Sequence, residues 1–178
     1  MARRSQRDSI LDATERVIVG QGLARTTLEA IALEAGISKG GLLYHFPNKK
    51  ELLLELIERH SQRMTAGREE MQATLPDGNA KVLRAHLMAR LKEPPTRQIS
   101  LSRIVDVLED EDLRERVTAM RKREWQVIEK GVDNPERAAV LLLAMDGFWM
   151  LELFKVPVFS VEFRERIIAV MLDMVDES

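Results

Sequence analysis

The chain has 178 residues, a formal net charge of −2 and no cysteine, which excludes disulfides and cysteine-bearing metal sites. Its 45% hydrophobic and 31% charged residues are ordinary for a soluble globular protein with one domain or two small ones. No apolar run reaches membrane-spanning length, and the arginine-containing N-terminus lacks the apolar segment of a signal peptide. We therefore expect a cytoplasmic protein without a membrane segment.

The charge is distributed unevenly along the chain. Residues 1–50 contain eight Lys/Arg against five Asp/Glu, whereas the remaining residues contain 19 against 24. A basic end on an acidic body suits a protein that presents that end to a polyanion. A solvated surface would account for this small difference equally well.

The first predicted helix covers residues 6–20. Its buried stripe has the spacing of 3.6 residues that an amphipathic helix requires, and consists of Ile10, Leu11, Thr14, Val17 and Ile18. Arg3, Arg4 and Arg7 lie at or before its start. Contact with DNA phosphates or the minor groove and simple disorder both remain open for these arginines.

Two short helices joined by a tight turn are predicted over residues 27–46. Thr26 followed by Glu29 matches a capping box, in which the hydroxyl and the carboxylate satisfy free amides at a helix start. Gly36 falls where a chain leaves a helix in the left-handed conformation, and Ser38 is a favourable N-cap for the second helix. This succession is the outline of a helix-turn-helix.

The second short helix exposes an unusual set of residues. Gly40 and Gly41 each cost roughly 1 kcal/mol relative to alanine in a helix, which favours a role in close approach to another backbone. Lysine side chains and helix N-termini bind phosphates. The predicted DNA-contacting residues are Thr26, Thr27, Ser38, Lys39, Gly40, Gly41, Tyr44, His45 and Lys49. The alternative is a helical hairpin that binds nothing.

This stretch resembles the DNA-binding domain of the TetR/AcrR family of transcriptional regulators. The family pattern is approximately T-x-x-x-I-A-x-x-A-G-[VI]-S-K-G-x-L-Y-x-[HY]-F-x-x-K-x-x-L. The matching residues are Thr27, Ile31, Ala32, Ala35, Gly36, Ile37, Ser38, Lys39, Gly40, Leu42, His45, Phe46, Lys49 and Leu52. Leu43 stands where most members have a phosphate-contacting tyrosine, and we expect the neighbouring Tyr44 to take over part of that contact.

The resemblance implies an all-α fold of about nine helices in two domains. A three-helix, helix-turn-helix DNA-binding domain would cover residues 6–66, and a helical effector-binding and dimerisation domain would cover residues 67–178. The sequence after the motif has only the helical period. A long helix from about residue 48 to 73 would act as a lever, with His60 on its apolar side as a structural histidine or a sensor. Further helices are predicted at about 82–91, 99–108, 113–130, 137–154 and 161–174.

The last two helices are predicted to form the interface of a homodimer. Residues 137–154, RAAVLLLAMDGFWMLELF, are apolar nearly all the way round, which is explained if part of this helix faces a second subunit. Gly147 would allow close helix approach there. A two-fold dimer places two recognition helices roughly 34–36 Å apart, over a palindromic site in double-stranded DNA.

The resemblance also implies a small-molecule pocket in the body. The candidate lining residues, for each of which plain core packing is the alternative, are Met88, Ile104, Leu108, Met120, Trp125, Asp146 and Trp149. Asp146 lies inside the apolar run, where a carboxylate must be paired or hydrogen-bonded. We favour a structural pairing, with an arginine of another helix or a serine across the dimer. The second possibility is a counter-ion for a cationic ligand.

These features predict a homodimeric repressor that a small, largely hydrophobic effector releases from a palindromic operator, with no cofactor. The long helix would transmit the change from effector to DNA. One rival is a helical protein-interaction module of the same fold without DNA binding. An enzyme is disfavoured, because the sequence contains no metal-ligand cluster, phosphate-cradling loop or nucleophile–base pair, and its three histidines are scattered.

Overall fold

A computed structural model describes residues 5–22, 25–78, 80–92, 110–153 and 156–175. Within these ranges the chain forms eight α-helices and no strand, which confirms the predicted all-α class. The helices are α1 Gln6–Gln21, α2 Leu28–Ala35, α3 Lys39–His45, α4 Lys49–Thr74, α5 Lys81–Lys92, α6 Glu111–Glu129, α7 Pro135–Leu153 and α8 Val161–Val175. Their ends agree closely with the sequence prediction. The helix predicted at 99–108, with Ile104 and Leu108, lies outside the described residues, as do Arg3 and Arg4.

Side-chain caps fix the starts of several helices at the predicted positions. In each case a side-chain oxygen accepts a hydrogen bond, 2.9–3.2 Å long, from the backbone N–H three residues further on. The four N-caps are Ser38, Asn48, Asn134 and Ser160. Pro135 then occupies the first position of α7, where its missing N–H costs nothing.

The start of α2 differs from the prediction by one residue. The N-cap is Thr27, whose hydroxyl oxygen accepts from the Ala30 N–H at 3.1 Å. The hydroxyl of Thr26 instead donates to the Gly22 carbonyl at 2.7 Å, and Thr26 is only 1% exposed. The predicted capping box between Thr26 and Glu29 was therefore wrong, because Thr26 ties the end of α1 to the loop before α2.

The described residues form two compact units, and the first contains residues up to 60 together with 110–118. Helix α1 packs against α2, and α2 packs against α3. The fully buried apolar side chains of these helices and of the first part of α4 are Ile10, Ile18, Ile31, Leu42, Phe46, Leu52 and Leu56. Arg59 of α4, which is 14% exposed, joins α4 to α1 by donating to Asp12 at 2.8 Å and to Glu15 at 2.7 Å.

The first turns of α6 belong to this same unit, although they are far from it in sequence. Lys50 of α4 pairs with Asp110 at 3.2 Å and with Asp112. Leu113 is buried, with 3% of its surface exposed. The sequence predicted a strictly sequential division at residue 66, and the contacts add this returning segment to the unit that carries α3.

The second unit contains the described residues 61–92 and 119–175. Its main core is formed by buried side chains of α5, α6, α7 and α8, among them Leu83, Leu87, Ile128, Leu141, Met145, Met171 and Val175. Gly131 allows the loop after α6 to approach α5 closely. A methyl group there would lie 2.9 Å from a methyl of Val82, and the Gly131 carbonyl accepts from the Ala80 N–H at 3.0 Å.

Helices α7 and α8 leave apolar side chains uncovered within a single chain. On α7, Val140, Leu143 and Met150 are 59%, 69% and 46% exposed. On α8, Phe163 and Val170 are 42% and 55% exposed, whereas Met171 and Val175 fill the core. None of the helices in the described ranges combines the length and apolar character that crossing a membrane requires.

Candidate nucleic-acid interface and effector site

A glycine turn and two buried anchors set the orientation of α3. Gly36 is left-handed, with φ 69° and ψ 31°, and the following Ile37 N–H donates to the Ala32 carbonyl at 3.0 Å, which closes the end of α2. Leu42 and Phe46 are 0% and 1% exposed. With these two side chains in the core, the opposite side of α3 faces solvent.

The solvent-facing side of α3 carries most of the predicted DNA contacts. Ser38, Lys39 and Gly40 are exposed at its N-terminus. Tyr44 is 85% exposed and meets the half-buried His45 edge to face, with ring centroids 5.2 Å apart. We call this surface, formed by residues 38–41, 44 and 45, the α3 face. Thr27 is exposed at the start of α2, and Lys49 is half-buried in the first turn of α4.

Thr26 lies apart from this surface. Its burial and its hydrogen bond to Gly22 leave the hydroxyl turned into the protein, so we leave it out of the interface. Arg7 also has a place within the fold, because its guanidinium donates to the His45 carbonyl at 3.0 Å and lies 4.5 Å over the Phe46 ring. It supports the end of α3 from behind, a role that its position in the sequence did not reveal.

Packing among the described residues does not require a glycine at position 40 of α3, whereas position 41 is more crowded. A methyl group added at Gly40 would have only the Ser38 hydroxyl within 4 Å, at 3.9 Å. At Gly41 the same hydroxyl would lie at 3.3 Å, which is tighter. Neither glycine has the left-handed φ that glycine alone tolerates. The free space above Gly40 is therefore a property of the outer surface.

Lys39 is held by a carboxylate at the surface. Its ammonium donates to Glu29 at 2.6 Å, and this contact holds the pKa of Glu29 below its usual range. The two side chains are 52% and 62% exposed, so their pairing contributes little to stability. The lysine can exchange this carboxylate for a phosphate at small cost.

The predicted effector residues fall into different parts of the second unit. Met88 packs with Met71, Ala85 and Ala89. Trp125 and Trp149 both pack against the main core of that unit. Met120 is half-buried on α6. Of the predicted set, the structure therefore brings the two tryptophans to one apolar cluster and places Met88 in another.

Asp146 is part of an ion-pair network. Its carboxylate accepts from Arg90 of α5 at 2.6 Å and from Arg121 of α6. This is the structural pairing with an arginine of another helix that the sequence left as one of two alternatives. The two guanidiniums already neutralise the carboxylate, which disfavours its use as a counter-ion for a cationic ligand.

The sequence analysis missed His86, which lies beside this network. Its side chain is 0% exposed, and neither ring nitrogen has a hydrogen-bond partner. The nearest acid is Glu124, 3.6 Å from Nδ1. Burial lowers the pKa of His86 to about 4, although the Glu124 carboxylate opposes the shift. The only sequence signal was a histidine within the apolar pattern of α5.

Comparison with known proteins identifies the family. Residues 10–56, which include most of α1 and all of α2 and α3, match the profile described as bacterial regulatory proteins, tetR family. Residues 80–176 match the profile described as tetracyclin repressor-like, C-terminal domain. The chain belongs to the TetR family of bacterial regulatory proteins.

Individual TetR-family relatives match mainly over part of the chain. The HTH-type transcriptional regulator AcrR of Shigella flexneri is 31% identical over 104 residues, covering 55% of this chain and 48% of AcrR. The HTH-type transcriptional activator FasR of Mycolicibacterium smegmatis is 34% identical over 89 residues, covering 50% and 40%. This chain thus spans about half or less of the length of the curated relatives it matches.

The likeness to solved TetR-family structures extends over most of the chain. The crystal structure of a TetR-family transcriptional regulator from Rhodococcus sp. aligns with a TM-score of 0.78 at 21% identity. The alignment covers 96% of this chain and 98% of the Rhodococcus chain. At this identity the likeness establishes the fold and leaves the ligand to be argued from the residues.

Proposed function

We propose that the protein is a transcriptional regulator that binds a palindromic operator as a homodimer in the cytoplasm and represses from it. A small, largely hydrophobic effector would release the DNA. The observation that carries this proposal is the α3 face, where Gly40 leaves free space beside Lys39 and Tyr44. No described residue requires a glycine there, whereas close approach of a DNA backbone favours one.

The groups on the α3 face suit both the phosphate backbone and the base edges of DNA. The Lys39 ammonium and the N-terminal amides of α3 would contact phosphates, which fix the position of the protein. Tyr44 and His45 would point toward the groove, where hydrogen bonds to base edges give specificity. Tyr44, at 85% exposure, would also supply the phosphate contact that Leu43 cannot make.

The uncovered apolar side chains of α7 and α8 support the homodimer. Val140, Leu143 and Met150, with Ala144 and Gly147 between them, follow the helical spacing of three and four residues and form a stripe along α7. We call this the α7 stripe. A methyl group at Gly147 would meet nothing within 4 Å in the single chain, so the glycine leaves room for a second helix. Packing of α7 and α8 against their copies would bury these residues in a four-helix interface.

Release by an effector would act through helices that supply residues to both units. Helix α4 begins directly after α3 and continues to Thr74, and α6 begins beside Lys50 and contributes Ile128 to the core of the second unit. An effector that favours one arrangement of these helices would change the separation of the two α3 helices in the dimer. DNA binding would then weaken by a shift in population.

Selection of bound fragments from genomic DNA of the source organism tests the DNA-binding part. Wild type is compared with Lys39→Ala and with Lys122→Ala, which removes an exposed lysine of α6 as a matched control. We expect wild type and Lys122→Ala to enrich the same palindrome and Lys39→Ala to enrich none. A reporter fused to the enriched site then distinguishes repression from the activation named for FasR.

Two results would contradict the proposal. Equal enrichment by Lys39→Ala would show that the α3 face is not the recognition surface. No enrichment by any of the three proteins, each of them dimeric in sedimentation, would favour the interaction module of the same fold.

A further inference from the structure

In the second unit, buried side-chain nitrogen atoms of Arg68, His86 and Trp149 lack hydrogen-bond partners, and His86 adjoins an ion-pair network. We call this set of residues from α4, α5, α6 and α7 the polar cluster: Arg68, His86, Arg90, Arg121, Glu124, Asp146 and Trp149. Arg68, Arg90 and Arg121 all lie close enough to His86 for their positive charges to lower its pKa. These charged groups therefore lie around His86, and Trp149, three residues after Asp146 on α7, packs against the main apolar core.

Four nitrogen atoms of the polar cluster are buried without a hydrogen-bond partner. They are both ring nitrogens of His86, Nε of Arg68 and Nε1 of Trp149. His86 is 0% and Arg68 is 7% exposed. Buried polar atoms in native proteins nearly always have partners, and each exception calls for an explanation such as a ligand or a water. A neutral imidazole, a guanidinium and an indole together offer donors, which is what an acceptor group would require.

The charges of the polar cluster indicate the charge of a ligand that could supply the missing hydrogen-bond partners. Asp146 is shared by Arg90 and Arg121, and Glu124 accepts from Arg121 at 2.9 Å. Burial keeps His86 neutral. Within the described residues, Arg68 makes no ion pair with a carboxylate, whereas Arg90 and Arg121 both do. A buried guanidinium that lacks such a pair is unfavourable unless an anion enters.

We propose that the polar cluster binds the carboxylate of a small amphipathic effector, held by Arg68 and the unpartnered donors of His86 and Trp149. The apolar part of the effector would pack against partly buried side chains of the main core, such as Trp125 and Leu142. Arg121, with a side chain that is 43% exposed, marks the side from which the ligand enters. This inference rests on the proposed effector-responsive regulator and names the chemical class of its effector.

The test uses probes that share a carbon skeleton and differ only in charge. Hexyl, octyl, decyl and 4-phenylbutyl carboxylates are compared with the corresponding alcohols and amines, by calorimetry on the full-length dimer without DNA. We expect the carboxylate to bind at least tenfold more tightly than its alcohol and amine for the skeletons that fit. Tightest binding by the amines or alcohols, or no binding by any carboxylate, would overturn the proposal.

A matched pair of variants separates binding from structural support. Arg68→Met removes a guanidinium that has no ion-pair partner among the described residues, so we expect an unchanged or higher Tm and loss of the carboxylate preference. Arg90→Met removes one of the two partners of Asp146 and is expected to lower Tm. If Arg68→Met lowered Tm as much as Arg90→Met and kept the carboxylate preference, Arg68 would be a structural residue and the proposal would be wrong.

The two proposals fail in different ways. Binding of each probe to the free protein is compared with its effect on the operator complex, measured by fluorescence anisotropy. A carboxylate that binds the protein without causing release of the operator would support the carboxylate site and contradict the proposed release of DNA by the effector. An amine that binds the protein and causes it to release the operator would support the proposed regulator and contradict the proposed carboxylate site.

Discussion

The polar side chains that we assign to binding differ between the two units in their exposure and in their hydrogen-bond partners. In the first unit, the groups that we assign to recognition are exposed, and their local needs are met by the chain, as when Ser38 caps α3 and Glu29 holds Lys39. In the second unit, His86 and Arg68 are buried and keep atoms without partners. An outer surface whose polar groups already have partners is suited to a long polyanion such as DNA. A small molecule can instead be enclosed by buried groups, for which it supplies the missing hydrogen-bond partners.

The largest expected effect comes from separating the two copies of the chain. Leu143→Asp places a charge in the middle of the exposed α7 stripe, where a second copy would have to bury it. We expect a monomer in sedimentation and at least a hundredfold loss of operator affinity, because the second half-site is no longer bound intramolecularly. Val127→Asp, at an exposed position of α6, is the control. A dimeric Leu143→Asp would contradict the assigned interface.

The second effect tests the buried side of the comparison through pH. Because the pKa of folded His86 is about 4 and the ordinary value is 6.5, the unfolded chain binds more protons between these values. The free energy of unfolding should therefore fall as pH is lowered from 6.5 to 4, by about 3 kcal/mol from this residue. Glu124, which faces His86 directly, opposes the shift, whereas Arg68, Arg90 and Arg121 reinforce it.

His86→Gln separates this contribution from those of the carboxylates. Chemical denaturation at a series of pH values should show a shallower fall between pH 6.5 and 4 for the variant than for the wild type. The same slope in both proteins would mean that His86 does not carry the dependence.

The third effect compares one glycine from each unit. Gly40→Ala should leave the free energy of unfolding unchanged or raise it by up to about 1 kcal/mol, because the added methyl group has space within the chain. It should weaken operator binding about tenfold, because that space is taken by DNA in the complex.

Gly131→Ala should behave in the reverse way. Its methyl group would lie 2.9 Å from Val82, so we expect destabilisation of about 1–3 kcal/mol with unchanged operator affinity of the folded dimer. Denaturant titration and anisotropy on the same preparations measure both quantities. Loss of stability without loss of affinity in Gly40→Ala would remove the main support for the α3 face.

The smallest effect concerns the exposed pair of Lys39 and Glu29. Glu29→Gln frees the lysine and removes a negative charge near the proposed phosphates, so operator affinity should rise about two- to fivefold in low salt. The gain should shrink as salt increases. Glu34 lies on the same helix as Glu29 and forms a comparable exposed pair with Arg16 of α1. Glu34→Gln breaks that pair and should change operator affinity less. An equal gain in both variants would indicate a general charge effect.

Local features of the chain were predictable, and features that depend on distant contacts were not. Helix ends and the caps at Ser38 and Asn48 follow from residues a few positions apart. The choice between Thr26 and Thr27 did not, because either hydroxyl can cap and a contact with Gly22 across the loop decides.

The polar cluster shows the same limit more strongly. The partners of Asp146 lie on α5 and α6, and the surroundings of His86 are assembled from α4, α5 and α6. No spacing within one helix could reveal either. The exposure of Phe163 and Val170 on α8 illustrates a related limit, since helical period cannot distinguish a side chain that packs in the core from one that a second chain would cover.

The pairing of Lys50 with Asp110 and Asp112 has a consequence for the order in which the protein is made. The unit that carries α3 includes residues 110–118 and the buried Leu113, which leave the ribosome only after α5 has been synthesised. Its N-terminal helices α1 to α3 can form early in synthesis, but the unit is complete only after residues 110–118 have been made. A nascent chain that has exposed only its first 60 residues therefore lacks the ion pairs of Lys50 and the buried Leu113, which this unit gains only later in synthesis.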